Sequence, residues 1–220
     1  MSALPQNQSE LRITEIFYSL QGESRTVGLP TVFIRLTGCP LRCQYCDTEY
    51  AFTGGETLSF DAIFEQLKKY NTPYICVTGG EPLAQPNCLS LLNHLCDDGY
   101  QVSLETSGAL SLKKVDSRVN IVMDVKTPAS AEADKNLWDN FDYLKPNDEI
   151  KFVICDRNDY DWMKTIAETY DLYQRFQIIV SPSFAEVDVA DLAEWILDDQ
   201  LAVRMQVQLH KIIWGEEQGK

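Results

Sequence analysis

Thr31-Val-Phe-Ile-Arg-Leu-Thr-Gly-Cys-Pro-Leu-Arg-Cys-Gln-Tyr-Cys-Asp-Thr48 joins two unlike pieces of chain. The first seven residues are a near-continuous apolar run rich in β-branched side chains, the pattern of a strand buried on both faces in a parallel sheet. Its one charge, Arg35, is costly there unless an anion pairs with it. The rest carries Cys39, Cys43 and Cys46 in a C-x3-C-x2-C run, close enough for one loop to wrap three thiolates around a single metal centre.

No fourth cysteine follows nearby. A [4Fe-4S] cluster held by three thiolates keeps one iron free of protein ligands, open to a small molecule as catalytic metal sites are. The same three cysteines with His94 or His210 also suit a structural zinc site. Disulfides fit less well, because seven cysteines is an odd number and these three lie too close together in sequence. Cys76, Cys88, Cys96 and Cys155 match no cluster spacing and read as core residues.

Outward from this stretch, strand and helix alternate. Upstream, Leu11 to Ser19 reads as a strand or arm that ends at Leu20-Gln-Gly-Glu23. Downstream, residues 60, 63, 64 and 67 fall at helical spacing behind a Ser59 N-cap. Tyr74 to Thr78 is a strand turning at Gly79-Gly80, and the stripe from Cys88 to Leu95 is a helix closed by Gly99. Strands follow at 101–105, 120–125, 150–155, 176–180 and 205–209, with helices at 159–170 and 189–197. The polar segment 127–145 reads as a loop with one short helix. This rhythm implies βαβ units and a parallel sheet. About six parallel strands are too few for a closed eight-stranded barrel, so the expected fold is α/β, a partial (β/α) barrel, with a doubly wound open sheet as the second choice. Without repeat, linker or low-complexity tract, residues 1–220 read as a single domain, with residues 1–10 as a disordered start.

The formal net charge of −14 argues against broad contact with nucleic acid or an anionic membrane, both of which attract clustered Lys and Arg. A small-molecule substrate fits better. The first ten residues lack the basic and apolar regions of a signal peptide, and no apolar run is long enough to span a bilayer. Reduced thiols then point to the cytoplasm.

In parallel α/β folds the ligand binds at the C-terminal strand ends. Those ends carry the cysteine loop, Thr78-Gly-Gly-Glu-Pro82, Glu105-Thr-Ser-Gly108, Asp124-Val-Lys-Thr-Pro128, Asp156 and Ser181-Pro-Ser183. Glycines 79 and 80 allow close backbone approach to a ligand, and Glu81 offers an acceptor for an ammonium group.

The cysteine spacing, the aromatic Tyr45 before the last cysteine and the Gly79-Gly80-Glu81 turn resemble the radical S-adenosylmethionine enzymes. Phe17-Tyr-Ser-Leu-Gln-Gly-Glu23, Phe33-Ile-Arg-Leu-Thr-Gly-Cys39, Cys46-Asp-Thr48, Val77-Thr-Gly-Gly-Glu-Pro82, Glu105-Thr-Ser-Gly108 and Leu209-His-Lys211 are similar, within that group, to the 7-carboxy-7-deazaguanine synthases. The resemblance spans Phe17 to Lys211 and implies a radical ring contraction of a carboxylated tetrahydropterin with loss of ammonia. It implies a [4Fe-4S] cluster on Cys39, Cys43 and Cys46, S-adenosylmethionine on its open iron, and Mg2+ on Thr48. It further implies S-adenosylmethionine contacts from Gly80, Glu81, Ser107, Asp124, Val125, Lys126 and Ser181. Pterin contacts fall to Leu20, Gln21, Gly22, Thr78 and Arg35, the last on the substrate carboxylate, with Glu105 as the binding or proton-transfer group. An electron donor such as flavodoxin and a homodimer are implied too. Asp124-Val-Lys126 departs from the Ser-Pro-Lys of some members, and the tail beyond Lys211 is longer than in some. Two rival readings stand beside this one: an activase that generates a glycyl radical on a partner protein, and a non-catalytic zinc or iron-sulfur module.

Overall fold

The computed structural model describes residues 9–184, 186–215 and 217–220. Most of the expected disordered start lies outside them, and Glu10 already opens a strand. One sheet contains all nine strands: β1 (Glu10–Leu20), β2 (Pro30–Leu36), β3 (Glu56–Ser59), β4 (Tyr74–Gly79), β5 (Gln101–Thr106), β6 (Asn120–Val125), β7 (Glu149–Ile154), β8 (Gln177–Pro182) and β9 (Arg204–Met205). Their order is β3-β1-β2-β4-β5-β6-β7-β8-β9, and the two edges do not meet. From β2 through β9 every pairing is parallel, while β1 runs antiparallel to β2 and β3. The result is the expected partial barrel, with an antiparallel flank added at one edge.

Helices α1 (Phe60–Leu67), α2 (Cys88–Asp97), α3 (Arg157–Thr169) and α5 (Val189–Asp198) follow four of the strands. Ser59, Asp156 and Asp188 cap α1, α3 and α5 by accepting from backbone N–H groups of the first turn, which satisfies donors a helix start otherwise exposes. Gly99 follows α2 at φ +87°, a conformation cheap only for glycine.

Strand alternation decides what faces where. Ile34, Val77, Leu104, Met123, Phe152 and Val180 join the buried apolar core. Adjacent residues on the same strands, Arg35, Thr78, Glu105, Asp124, Lys151 and Ser181, line the cavity inside the half-barrel. A single alternation thus builds both core and site.

Several local readings are corrected. The apolar alternation at 205–209 gives only the two-residue β9, because Gln206 N–H still donates to Val180 O at 3.0 Å whereas Leu209 N–H donates to Gly22 O at 3.1 Å. The chain there leaves the sheet and forms α6 (Leu209–Trp214). Segment 127–145 holds three 3-10 helices, Pro128–Ser130, Ala133–Lys135 and Trp138–Asp142, in place of one. The short β3 and α4 (Leu172–Arg175) are too brief to leave a period in the sequence. Cys76 and Cys88 are buried and Cys96 packs at the core's edge, but Cys155 is half-buried beyond the end of β7, outside the core.

Candidate active site

The inward side of the half-barrel encloses a cavity of about 810 Å³. Cys39, Cys43 and Cys46 stand at its C-terminal end and Gln21 and Gly22 toward the N-terminal strand ends, so one space joins both expected sites.

The cysteine loop is fixed by its backbone. Gly38 N–H donates to Ala51 O (2.8 Å), Glu81 N–H to Gly38 O (2.8 Å) and Gln44 N–H to Ser130 O (3.1 Å). Arg42 donates to Cys39 O (2.8 Å) and Leu41 O (2.6 Å) and stacks 4.2 Å over Phe52. All three thiols are half-buried, and none of the other four cysteines lines the cavity. Among the described residues no three His, Cys, Asp or Glu side chains converge on a single ion, whereas zinc gathers its ligands to about 2–2.3 Å. His94 is turned away, its Nδ1 2.7 Å from Ser90 O and its ring against Phe60. Three thiols on one cavity, with no other cysteine beside them, suit a four-iron cluster that keeps one iron free of protein ligands. Burial pushes the Cys43 thiol up to about 11, against the pull of Lys126, so thiolate formation depends on the metal itself.

Around that end lie Gly80, Ser107, Asp124, Lys126 and Ser181. A Cβ on Gly80 would collide with Gly38 O and Cys39 Cβ, so only glycine lets β4 and the cysteine loop approach this closely. Ser181 Oγ and Asp124 Oδ1 are buried polar atoms without a partner among the described residues, an arrangement that costs free energy until something bonds them. The Lys126 ammonium sits 2.8 Å from Asp124 Oδ2 and 5.5 Å from the Tyr45 ring centre. Burial opposes that charge, but Asp124, Tyr45 and Cys43 together hold it above its ordinary value.

Two expected contacts lie elsewhere. Glu81 is 0 % exposed and does not line the cavity. Its carboxylate accepts from Thr106 Oγ1 (2.9 and 3.0 Å), Ser107 N–H (2.7 Å), Ser107 Oγ (2.5 Å) and Leu83 N–H (3.0 Å). It ties the β4 turn to the end of β5. Val125, out of phase with Asp124 and Lys126 along β6, packs in the core.

Further into the half-barrel, Arg35 Nε donates to Glu15 Oε1 at 2.7 Å, and Tyr50 OH donates to the same oxygen at 2.8 Å. The guanidinium is flanked by the Phe17 and Tyr50 rings at 5.5 and 5.8 Å. Glu15 is therefore the anion that a buried arginine requires, and its position on β1 opposite Arg35 was not anticipated from sequence. Beside it, Glu105 accepts from Gln21 Nε2 (3.3 Å) and Thr78 Oγ1 (3.2 Å). Burial and the nearby Glu23 raise the Glu105 pKa, with Lys151 and Arg35 pulling the other way.

Lys151, Glu23, Asp47 and Lys211 also line the cavity, although none was given a role in the site, and so does His210, which was weighed only as a zinc ligand. Lys151 pairs with Glu23 at 2.6 Å, both side chains nearly buried. Its signal was present: a lone charge in the apolar run Ile150 to Ile154, the same mark that drew notice to Arg35. The strand reading of 205–209 concealed the start of α6 at Leu209. A Cβ on Gly22 would collide with the His210 imidazole, so α6 packs directly on that turn. Residues 217–220 line the cavity too.

Lys211 Nζ lies 3.2 Å from Asp47 Oδ2 and, with Thr48 Oγ1 donating to Asp47 Oδ1 at 2.8 Å, holds the Asp47 pKa down to about 2 against the opposing effect of burial. A depressed carboxylate pKa contributes stability that is present above the unfolded value near 3.8 and lost as the pH falls toward 2. The Asp47 side chain is 44 % exposed, so solvent screens part of the effect. In urea melts of the cluster-free protein, Asp47→Asn is expected to flatten the acid dependence in that window; an unchanged slope would show that Lys211 contributes nothing there.

Comparison with known proteins agrees with this geometry. Residues 33–129 match the Radical SAM superfamily. The 7-carboxy-7-deazaguanine synthase of Koribacter versatilis is 43% identical, the match covering 94% of this chain and 98% of that one. The enzyme of that name from Chlorobaculum tepidum is 42% identical over 96% and 97% of the two chains. Among solved structures, QueE from Escherichia coli superposes with a TM-score of 0.75 at 22% identity, covering 91% of this chain and 95% of that one, a likeness of fold. Near-complete coverage at such identity leaves no large part of either sequence unmatched, and the chain belongs to the 7-carboxy-7-deazaguanine synthases, a family of radical S-adenosylmethionine enzymes.

Proposed function

We propose that this protein converts 6-carboxy-5,6,7,8-tetrahydropterin into 7-carboxy-7-deazaguanine with loss of ammonia, a step toward queuosine and related deazapurines. The observation that carries the reading is one continuous cavity with three thiols at one end and Arg35, Glu105, Gln21 and Gly22 farther in. A cluster-bound cofactor and a carboxylated heterocycle have room to meet there. When bound, the [4Fe-4S] cluster and S-adenosylmethionine supply the adenosyl radical that starts the reaction.

The chain's own residues do the rest. Gly80, Ser107, Asp124, Lys126 and Ser181 border the cofactor, the unpartnered Ser181 and Asp124 oxygens being ready to bond its polar groups. Glu81 and Val125 act from behind, fixing the strand ends. Leu20, Gln21, Gly22 and Thr78 border the pterin. Arg35, held through Nε by Glu15, offers its two Nη groups to the substrate carboxylate. Glu105, with a raised pKa and hydrogen bonds from Gln21 and Thr78, holds or moves a proton at the pterin ring. Thr48 Oγ1 would be the protein ligand of a bound Mg2+, a hard cation suited to oxygen donors, which would supply charge to hold substrate oxygens.

The proposal also takes residues 1–220 as one domain, supported by the single sheet and core. It takes the protein to be a cytoplasmic homodimer reduced by a flavodoxin-type donor, as the resemblance implies. No helix among the described residues is long and apolar enough to cross a membrane.

Anaerobically reconstituted, reduced protein is expected to consume the carboxypterin with S-adenosylmethionine and to leave S-adenosylmethionine essentially intact without the pterin. Cleavage that needs a protein partner instead would support the activase reading, and tetrahedral zinc without iron the structural one. Arg35→Ala is expected to weaken pterin binding roughly a hundredfold or more, since breaking a buried charge pair costs about 3–5 kcal/mol. Binding unchanged by calorimetry would remove Arg35 from the carboxylate.

A further inference from the structure

The connection between β1 and β2 runs from Gln21 to Leu29 and carries the two residues placed against the pterin. Its neck is closed locally: Gln21 N–H donates to Leu29 O (2.9 Å) and Gly28 N–H to Gln21 O (2.8 Å). Its tip leaves the hairpin and crosses the N-terminal end of the half-barrel, where three successive residues are each gripped from β7 or the chain at β9.

Glu23 pairs with Lys151 at 2.6 Å. Ser24 N–H donates to Gln206 Oε1 (2.7 Å), and Gln206 Nε2 donates to Ser24 O (2.8 Å), a two-point clamp on buried backbone. Arg25 N–H donates to Glu149 Oε2 (3.0 Å), and its guanidinium reaches Asn120 Oδ1 (3.1 Å) and Asn147 O (3.0 Å). Ser24 stands at φ +66°, a left-handed conformation that a non-glycine residue keeps only where its surroundings over-determine it.

Within this nine-residue loop the tip's own bonds, Val27 N–H to Ser24 O (3.4 Å) and Leu29 N–H to Thr26 O (3.0 Å), form only a local turn, so its placement across the half-barrel depends on bonds from outside the loop. We propose that Gln206 and Arg25, neither of which lines the cavity, are positioning residues for pterin recognition: their grip on the loop tip, added to the Leu209 N–H bond to Gly22 O, keeps Gln21 and Gly22 in register with Glu105. Gln206 acts through Ser24, and Arg25 through its guanidinium, which anchors the loop tip to Asn120 Oδ1 and Asn147 O. The effect is confined to the pterin side, because the cysteine loop and the β4 turn are held by separate hydrogen bonds. The inference rests on the function proposed above.

The test compares Gln206→Met, which keeps volume but removes both hydrogen bonds, with Arg25→Ala, a surface change tolerated by the fold. Affinities for 6-carboxy-5,6,7,8-tetrahydropterin and for S-adenosylmethionine are measured by calorimetry on anaerobically reconstituted protein, together with KM and kcat. Each variant is expected to bind the pterin about tenfold more weakly, since each removes two hydrogen bonds that hold the loop tip. S-adenosylmethionine affinity should stay within twofold, with KM rising more than kcat falls. If Gln206→Met does not fold, Arg25→Ala alone decides. Wild-type pterin affinity in a folded variant, or an equal loss for both ligands, would overturn the inference. Failure of the wild-type protein to bind the pterin would instead overturn the function on which it rests.

Discussion

Cys43→Ala protein, reconstituted anaerobically with iron and sulfide, is expected to hold no stable four-iron cluster and to cleave no measurable S-adenosylmethionine, with or without pterin. The reason is the count of ligands. Three thiols line the cavity, the other four cysteines do not, and among the described residues no group of three His, Cys, Asp or Glu side chains is gathered to hold a metal in their place. Circular dichroism of the apo variant should match the wild type, because the loop is held by Gly38, Gln44 and Arg42 contacts rather than by the Cys43 side chain. Retained iron at four per chain with retained cleavage would contradict the ligand assignment. Cys39→Ala and Cys46→Ala should behave alike.

Glu105→Gln is expected to lower turnover by roughly 10²–10⁴-fold, the usual contribution of a positioned acid or base. The amide keeps the size of the side chain, and it can still accept from Gln21 or Thr78. Burial and Glu23 set the Glu105 pKa above the ordinary carboxylate range, so its ionised form is the costly one in the folded state. The stability tied to this group is present below the unfolded pKa and lost as the pH rises through the folded one. Above that range the glutamine variant should therefore melt no earlier than the wild type, separating lost chemistry from lost fold. Lys151→Met, which removes a cation holding Glu105 down, should move the acidic limb of the kcat/KM profile to higher pH. A limb that stays in place would show that Glu105 does not set it.

How much of this was legible beforehand depends on the kind of signal. Parallel strands buried on both faces advertise themselves as apolar runs, and the helices carry caps such as Ser59 and Asp188 at their starts, so the half-barrel followed from pattern alone. Charges inside those runs, Arg35 above all, marked the cavity wall because nothing in a core explains them. Lys151 bore the same mark and was passed over as part of a strand. Glu15 could not be seen, since pairing it with Arg35 requires the antiparallel register of β1 on β2, a contact across twenty residues. Glu81 showed the opposite failure: an acid beside two glycines looked like a ligand, yet the fold uses all of its acceptor capacity to join two strand ends. His210 and Lys211 were noticed as residues, but their helix was not, because three alternating apolar residues, Met205, Val207 and Leu209, fit a strand until tertiary contacts bend the chain back onto Gly22.

The most direct test of the account is electron paramagnetic resonance of the reduced, anaerobically reconstituted protein before and after S-adenosylmethionine is added. One four-iron cluster per chain, whose signal shifts on addition and couples to nitrogen-15 placed in the amino group of the added compound, is the predicted result. A protein that carries zinc, or a cluster whose signal does not respond because a side chain already fills its fourth corner, would contradict it.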